Sequence, residues 1–387
     1  MSRGILCITV KENFRKRFQI EHQLDAAEEE EEMREFDVVK YLRKNPPVPL
    51  DTGGSFRHAV VIPVYNELAG FAAMEHSLRT ALAKIPDKVA VIAVINYPAG
   101  ADGSDSEKLL NLIRIGVFPG VTAIYLPELN GGVGAARKAG MDAFIGSLNA
   151  GDMEGSAIFS MDADTVVEPD YFVRVLPEVL KGGAVSIGFS HQAAGDVLHQ
   201  AAIDRYEAYL ARYVSKLREA GSPYAFFTVG SAFAVRCDAY LKAGGMKVRT
   251  AGEDFYFLQA VAKSTQVRSL PDKLVHPSPR VSMRVPFGTG QAVAQLLRGE
   301  ELNEIPDIAF GVLKMVLNRV TAENLEDPEK FLRQLPAAAA VFFMRENFAD
   351  VWRRIQQNLP AKDDAAVTAF HEWFDGLKTL RFLHFVS

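Results

Sequence analysis

The chain has 387 residues, 48% of them hydrophobic and 24% charged, with a formal net charge of -5. That composition suits an ordinary globular protein with a substantial core, and it gives no basic excess of the kind nucleic-acid binding needs. Two cysteines far apart in sequence, Cys7 and Cys237, exclude a disulfide framework and a CxxC zinc site and favour a reduced, cytoplasmic setting. No apolar run approaches the roughly 18–20 residues of a transmembrane helix, and the N-terminus lacks the h-region of a signal peptide.

Residues 1–57 read as a charged accessory segment and linker. The basic stretch KENFRKRF precedes the acidic run EEEEEMREFD, and KNPPVPLDTGGS then breaks regular structure. A solvated helix plus linker is the plain expectation, with contact between KENFRKRFQI and an acidic membrane surface or another subunit as the livelier one.

From His58 the pattern changes to strand-length apolar runs, HAVVIPVYN, KVAVIAVIN, VTAIYLP, SAIFSMD and GAVSIGFS, separated by segments of helical period. Runs without polar alternation suit strands buried on both faces, so the expected class is α/β with a mostly parallel sheet flanked by helices. A long helix is expected from Asp196 to Ala220, with Leu198, Ile203, Tyr206, Tyr209, Leu210, Tyr213 and Leu217 packing into the core. YAFFTVGSAFAVR and QVRSLPDKLVHP read as two further strands. Beyond Phe287 everything reads as helix, which divides the chain into 1–57, 58–286 and a helical region 287–387.

Three stretches carry chemistry. In MDADTVVEPDYF, Asp162 and Asp164 lie two residues apart where a buried strand surfaces, and an extended backbone would turn both carboxylates to one side. Two converging hard oxygen ligands suit Mg²⁺ or Mn²⁺, with water and phosphate completing the shell. Glu168 and Asp170 read instead as the acidic start of the next helix, with Pro169 in its first turn.

The second stretch, NGGVGAARKAG, includes Gly132 and Arg137 between a strand and a helix, where glycines would let a ligand approach a helix N-terminus. GGVGAA also resembles a dinucleotide fingerprint, a weaker reading because it follows about the third strand and has no acidic strand end some 20 residues later. In the third, GEDFYFL, Asp254 is the candidate general base, with Glu253 in support; adjacent acids at a helix start also complement its dipole.

Taken in order, VVIPVYNE, NGGVGAARKAG, DAD, TVGSAFAVR, GED and LVHP resemble the nucleotide-sugar-dependent glycosyltransferases of family 2, with the GT-A fold, over about Ala59 to Pro277. The resemblance implies that Pro63, Tyr65 and Glu67 line the nucleotide pocket, that Arg137 lies near the base or its phosphates, and that Asp162 and Asp164 bind the metal of the sugar diphosphate. It also implies that Asp254 deprotonates an acceptor hydroxyl. His276 falls where some members add a third metal ligand, against the plain reading of a structural histidine.

One departure concerns the second strand, which ends in Asn96-Tyr97-Pro98 rather than the acidic turn common in the family. Asn96 offers a base a different donor and acceptor pattern from a carboxylate, which leaves guanosine and thymidine donors open beside uridine. Asp102 and Asp105 read as substitutes from the following loop or as a solvated turn. Arg280 and Arg284, before a Gly-rich turn, read as a lid over the diphosphate or as surface charges.

The expected activity is transfer of a sugar from a nucleotide-diphosphate donor to an acceptor hydroxyl, dependent on Mn²⁺ or Mg²⁺, inverting if Asp254 is the base. Without transmembrane helices or a QxxRW motif, single addition is expected rather than processive synthesis. The alternatives are a retaining transferase, a nucleotide-sugar-binding regulatory protein without turnover, and an NAD-dependent oxidoreductase. The acceptor, the donor sugar and oligomerisation are left open.

Overall fold

The computed structural model describes residues 37–387 apart from 52, 250, 282–287 and 363. Arg284, Cys7, KENFRKRF and nearly all of the acidic run lie outside the described residues. Helix α1 covers 37–44. There follow β1 (His58–Val64), α2 (Leu68–Leu82), β2 (Val89–Asn96), α3 (Ser104–Arg114), β3 (Val121–Leu126) and α4 (Gly132–Ser147). Next come β4 (Ala157–Ser160), β5 (Val166–Val167), α5 (Tyr171–Gly182), β6 (Gly183–Phe189) and α6 (Val197–Ala220). β7 (Phe233–Arg236), α7 (Cys237–Lys242), α8 (Glu253–Ser264) and β8 (Gln266–His276) complete the α/β part.

Among the described residues the sheet order is β3-β2-β1-β4-β7-β6-β8-β5. β1 pairs in parallel with β2 and β4, and β2 with β3. β7 runs antiparallel between β4 and β6, so the sheet is mixed at its centre. Every residue of β1 and β2 is buried. Side-chain alternation explains the unbroken apolar runs: Val60, Ile62 and Val64 enter the core under α2, α3 and α5, while Ala59 and Val61 enter the core under α4 and α8.

Two glycines set how closely the helices approach. A Cβ on Gly140 of α4 would lie 2.5 Å from Val61 Cγ1, and one on Gly134 would lie 2.6 Å from the Arg249 carbonyl oxygen. These members of NGGVGAARKAG therefore serve close packing rather than the approach of a ligand. Gly131 and Gly132, with φ of 101° and 65°, make the turn into the helix.

The described end of the N-terminal segment is not a solvated linker. Val38 and Tyr41 are buried, and Tyr41 and Tyr240 each donate a 2.7 Å hydrogen bond to Asp142. YAFFTVGSAFAVR forms a strand only at its end. Upstream, Ser160 and Ser186 hydroxyls donate to the carbonyls of Gly230 and Phe227, occupying acceptors that a longer ladder would use.

Helix α6 begins as expected, with Asp196 accepting from the His199 backbone N–H. Ile203, Tyr206 and Leu217 are buried, but Leu198 is 78% exposed because the first turn of the helix overhangs the core.

The C-terminal region contains α9 (Thr289–Leu297), α10 (Asp307–Leu317), α11 (Ala322–Leu325), α12 (Pro328–Arg333), α13 (Ala337–Arg345), α14 (Phe348–Gln356), α15 (Ala365–Trp373) and α16 (Gly376–Val386). The helical stretch WFDGLKTLRFLHF breaks at Phe374, and Asp375 caps α16 by accepting from Lys378 N–H. Phe331, Phe343, Trp352, Phe370 and Phe382 form its core, to which α6 contributes Leu217 and Ala220. Among the described residues no helix is long and apolar enough to cross a membrane.

Candidate active site

Parallel strands deliver their carboxyl ends to one edge, where the three stretches meet. β4 ends at Ser160, and Asp162 starts a turn in which its carbonyl accepts from Thr165 N–H at 3.1 Å. The Asp-Ala-Asp pair therefore sits in a turn beyond the strand, not on its extended backbone. The two carboxylates still feel one another, as Asp162 raises the proton affinity of Asp164, and the Ala163 between them is buried. Gly70 of α2 makes room for the turn, since a Cβ there would lie 3.0 Å from Asp164 Cβ.

The Asp164 carboxyl is pushed up to about 6, first by burial and then by Asp162, while Arg280 acts in the opposite direction. Arg280 Nε lies 3.1 Å from Asp164 Oδ2, and its Nη2 donates to Glu67. Arg280 thus ties the segment after β8 to the start of α2 and to the Asp-Ala-Asp turn.

Arg137 enters from α4 and is 2% exposed. Its Nη2 donates to Asp162 and its Nη1 to Glu253, while its buried Nε has no hydrogen-bond partner among the described residues. Gly230 leaves space for the guanidinium, as a Cβ there would lie 2.6 Å from Nη2. Glu253 and Asp254 occupy the first turn of α8, where Asp254 accepts from Phe255 N–H at 2.7 Å. Burial, then Glu253, pushes the Asp254 carboxyl up to about 7, with Arg137 pulling it down.

The other expected residues divide. Pro63 is buried in β1 at the register of Val94, Tyr65 is half-buried at the strand exit, and Glu67 is the buried N-cap residue of α2. Asn96 is buried, and its amide donates to the carbonyls of Val64 at 3.1 Å and Val94 at 3.0 Å. Its donors therefore tie off strand ends instead of being free to read a base. Asp102 accepts from Ser104, consistent with a turn, and Asp105 pairs with Lys108 at 3.0 Å.

His276 departs from the expectation of a third metal ligand. Its Nε2 lies 2.9 Å from Glu168 Oε1, and its Nδ1 lies 2.9 Å from the Ser190 carbonyl and 3.1 Å from the Ser190 hydroxyl. Both ring nitrogens are engaged. Glu168 accordingly turns toward β8, and α5 begins only at Tyr171, which leaves Pro169 outside the helix with Asp170 as N-cap.

Gln192 escaped the sequence reading. Its Nε2 donates to the carbonyls of Asp164 and His276, both at 2.9 Å, and so fastens the turn to the end of β8. Nothing in SHQ signals that role, because both partners are backbone atoms distant in sequence. Tyr97 and Tyr125 were also missed; they share the Glu107 carboxylate at 2.9 Å and 3.3 Å beside the ends of β2 and β3.

The arrangement suits a divalent cation by its donor chemistry. Two carboxylates in one turn, Asp162 paired with Arg137 and the half-buried Asp164 with Arg280, offer the hard oxygens that Mn²⁺ or Mg²⁺ takes. Among the described residues no three His, Cys, Asp or Glu side chains gather as a ligand set, so the rest of such a shell would come from water and ligand oxygens.

Residues 59–243 match the model of the family described as glycosyl transferase family 2. Among solved structures, the chain is similar to S. aureus TarS 1–349 in complex with UDP, at 12% identity over 79% of this chain and 93% of that one, TM-score 0.41. It is also similar to the mannosyltransferase PcManGT from Pyrobaculum calidifontis in complex with GDP-Man and Mn²⁺, at 15% identity over 88% and 95%, TM-score 0.40. A third is glucosyl-3-phosphoglycerate synthase from Mycobacterium tuberculosis in complex with Mn²⁺, UDP-glucose and phosphoglyceric acid, at 12% identity over 64% and 82%, TM-score 0.35. No curated protein matches the chain.

Proposed function

We propose that this chain, a nucleotide-sugar glycosyltransferase of family 2 by its residues 59–243, transfers a single sugar to an acceptor hydroxyl with inversion and depends on a divalent metal. The observation that carries the proposal is Arg137, which joins Asp162 of the Asp-Ala-Asp turn to Glu253 beside Asp254. A donor diphosphate and an acceptor hydroxyl could thus meet within one charge network.

In this reading Asp162 and Asp164 hold Mn²⁺ or Mg²⁺. The metal would supply positive charge to the departing diphosphate. Arg280, between Glu67 and Asp164, is set to meet phosphate oxygens as a planar fork donor. Pro63 and Tyr65 border the nucleotide, and Gly131 and Gly132 shape the turn beside it.

Asp254 takes the proton of the acceptor hydroxyl as that oxygen bonds to the anomeric carbon. The bond from that carbon to the diphosphate oxygen breaks, and its electron pair leaves with the diphosphate. A carboxylate pushed up to about 7 is a stronger base than an ordinary aspartate, and its ionised, proton-accepting form becomes dominant only above neutral pH. Glu253, held by Arg137, fixes the start of α8 and keeps negative charge beside the base.

Thermal-shift measurements with UDP, GDP and dTDP, each with and without Mn²⁺, test this reading. Stabilisation by one nucleotide only when metal is present is expected. Stabilisation by NAD that is indifferent to metal would overturn it in favour of the dinucleotide alternative.

A further inference from the structure

Each carboxylate of the Asp-Ala-Asp turn is paired with an arginine, and the two pairings differ in kind. Arg137 reaches Asp162 from within the fold, held at its other terminal nitrogen by the buried Glu253. Arg280 reaches Asp164 from the segment after β8, with 43% of its side chain exposed. We propose that Arg280 and the divalent metal compete for Asp164, so that Arg280 turns from Asp164 to the donor diphosphate when metal and nucleotide bind together. The inference rests on the glycosyltransferase reading above.

The first argument is which arginine can move. Displacing Arg137 would strand Glu253 as a buried, unpaired charge. Its bond to Asp162 is made to Oδ1, and among the described residues nothing donates a hydrogen bond to Oδ2. Asp162 thus has an oxygen to offer a cation with its ion pair intact.

Asp164 is placed differently. Arg280 Nε lies 3.1 Å from Asp164 Oδ2, and Nη2 of the same guanidinium donates to Glu67, so one positive charge serves two carboxylates. A cation on Asp164 would stand against that guanidinium at close range, where like charges repel. Glu67 is buried and keeps Nη2 as an anchor, whereas the Asp164 contact is the one that can be given up.

The second argument is that the turn does not need Arg280 to stay in place. Gln192 Nε2 donates to the carbonyls of Asp164 and His276, both at 2.9 Å, and Gln192 N–H donates to the Pro277 carbonyl at 2.9 Å. Thr165 N–H closes the turn on the Asp162 carbonyl at 3.1 Å. These bonds hold the backbone of the turn against the end of β8, so the exchange is confined to the Arg280 side chain.

One consequence is a linkage between two ligands. A metal binding alone works against the Arg280 pair, but a metal arriving with a diphosphate gives the released planar fork new oxygens to bind. Each ligand therefore raises the affinity for the other.

The test is titration of Mn²⁺ into the full chain without nucleotide, followed by the electron paramagnetic resonance of free Mn²⁺. Arg280→Gln should bind Mn²⁺ alone about tenfold more tightly than the unmodified protein, and with Mn²⁺ present should bind the preferred one of UDP, GDP and dTDP about tenfold more weakly. A variant that only loosened the site would weaken both. Asp164→Asn added to Arg280→Gln should remove the gain in metal affinity. Arg280→Lys keeps the charge without the fork, so its gain should be smaller and of the same sign, which keeps the test open should melting curves show that the glutamine variant does not fold.

Mn²⁺ affinity that is unchanged or lower in the folded Arg280 variants, or a gain that persists without the Asp164 carboxylate, would overturn the inference. Nucleotide binding by the unmodified protein is measured in parallel with Mn²⁺. Normal nucleotide binding with no gain in metal affinity defeats the competition alone, whereas failure to bind any of the three nucleotides defeats the glycosyltransferase reading.

Discussion

Arg137 donates to Asp162 with one terminal nitrogen and to Glu253 with the other, so a single buried guanidinium holds the Asp-Ala-Asp turn and the start of α8 together. Both the guanidinium and Glu253 are almost wholly removed from water. Charges in that position are tolerated because they are paired, and removing one leaves the other stranded.

Replacing Arg137 with Met therefore costs stability as well as activity. A loss of about 3–5 kcal/mol in urea unfolding is expected, the range for a buried pair that loses one partner. Arg137→Lys should recover only part of it, because an ammonium cannot span two carboxylates as a planar fork does. A loss under about 0.5 kcal/mol, the level of an ordinary surface change, would show that the pair does not hold the turn to α8.

Asp254 gives a pH dependence with a definite sign. Its carboxyl is pushed up to about 7, so catalysis by the ionised form should rise with pH and level off above that value. Asp254→Asn should remove this limb and lower transfer by roughly 10²–10⁴-fold. A rate profile flat from pH 5 to 9 would contradict the assignment.

The same shift predicts an opposite effect on stability. A carboxyl raised in the folded state favours folding most below its unfolded value near 4, and that contribution is lost as pH rises through about 7. At pH 8, Asp254→Asn should be more stable than the unmodified protein by on the order of 2 kcal/mol, since the amide keeps the Phe255 acceptor without the buried charge. Equal urea midpoints at pH 8 would argue against a strained carboxylate.

Metal dependence should reside in the turn. Mn²⁺ together with a nucleotide diphosphate should raise the melting temperature by a few degrees, on the order of 2–4 °C for about 1 kcal/mol at ordinary domain size. Asp162→Asn, Asp164→Asn should abolish that increment, and chelation should reverse it. A metal effect undiminished in the double variant would place the cation elsewhere.

Gly140 tests the helix–sheet contact below the site. Ala at this position puts a methyl 2.5 Å from Val61 Cγ1 and 2.8 Å from Val94 Cγ2, in strands buried on both faces. A destabilisation of about 1–3 kcal/mol is expected from overpacking. Unchanged thermal stability would mean that α4 can lift off the sheet without cost.

What the sequence made legible follows from which forces are local. The apolar runs of β1, β2, β4 and β6 announced their strands because alternate residues of each are buried against opposite layers, as Val60 and Val61 show, whereas in β3 only Ile124 is buried. The start of α6 was readable from Asp196, a cap acting within one turn. Long-range pairings were less legible. His276 read as a ligand because the partners of its nitrogens, Glu168 and Ser190, are 108 and 86 residues away. Asn96 read as a base contact because its bonds to Val64 and Val94 depend on strand register. NGGVGAARKAG suggested approach to a ligand, whereas Gly134 and Gly140 are small because Arg249 and Val61 lie against them.

The most direct test of the central claim is proton NMR of the sugar released when the protein hydrolyses α-linked UDP- and GDP-sugars with Mn²⁺, recorded before the anomers equilibrate. Attack opposite the leaving diphosphate by an Asp254-activated nucleophile predicts the β anomer as the first product, with no release by Asp254→Asn. First appearance of the α anomer, or undiminished release by that variant, would contradict the account.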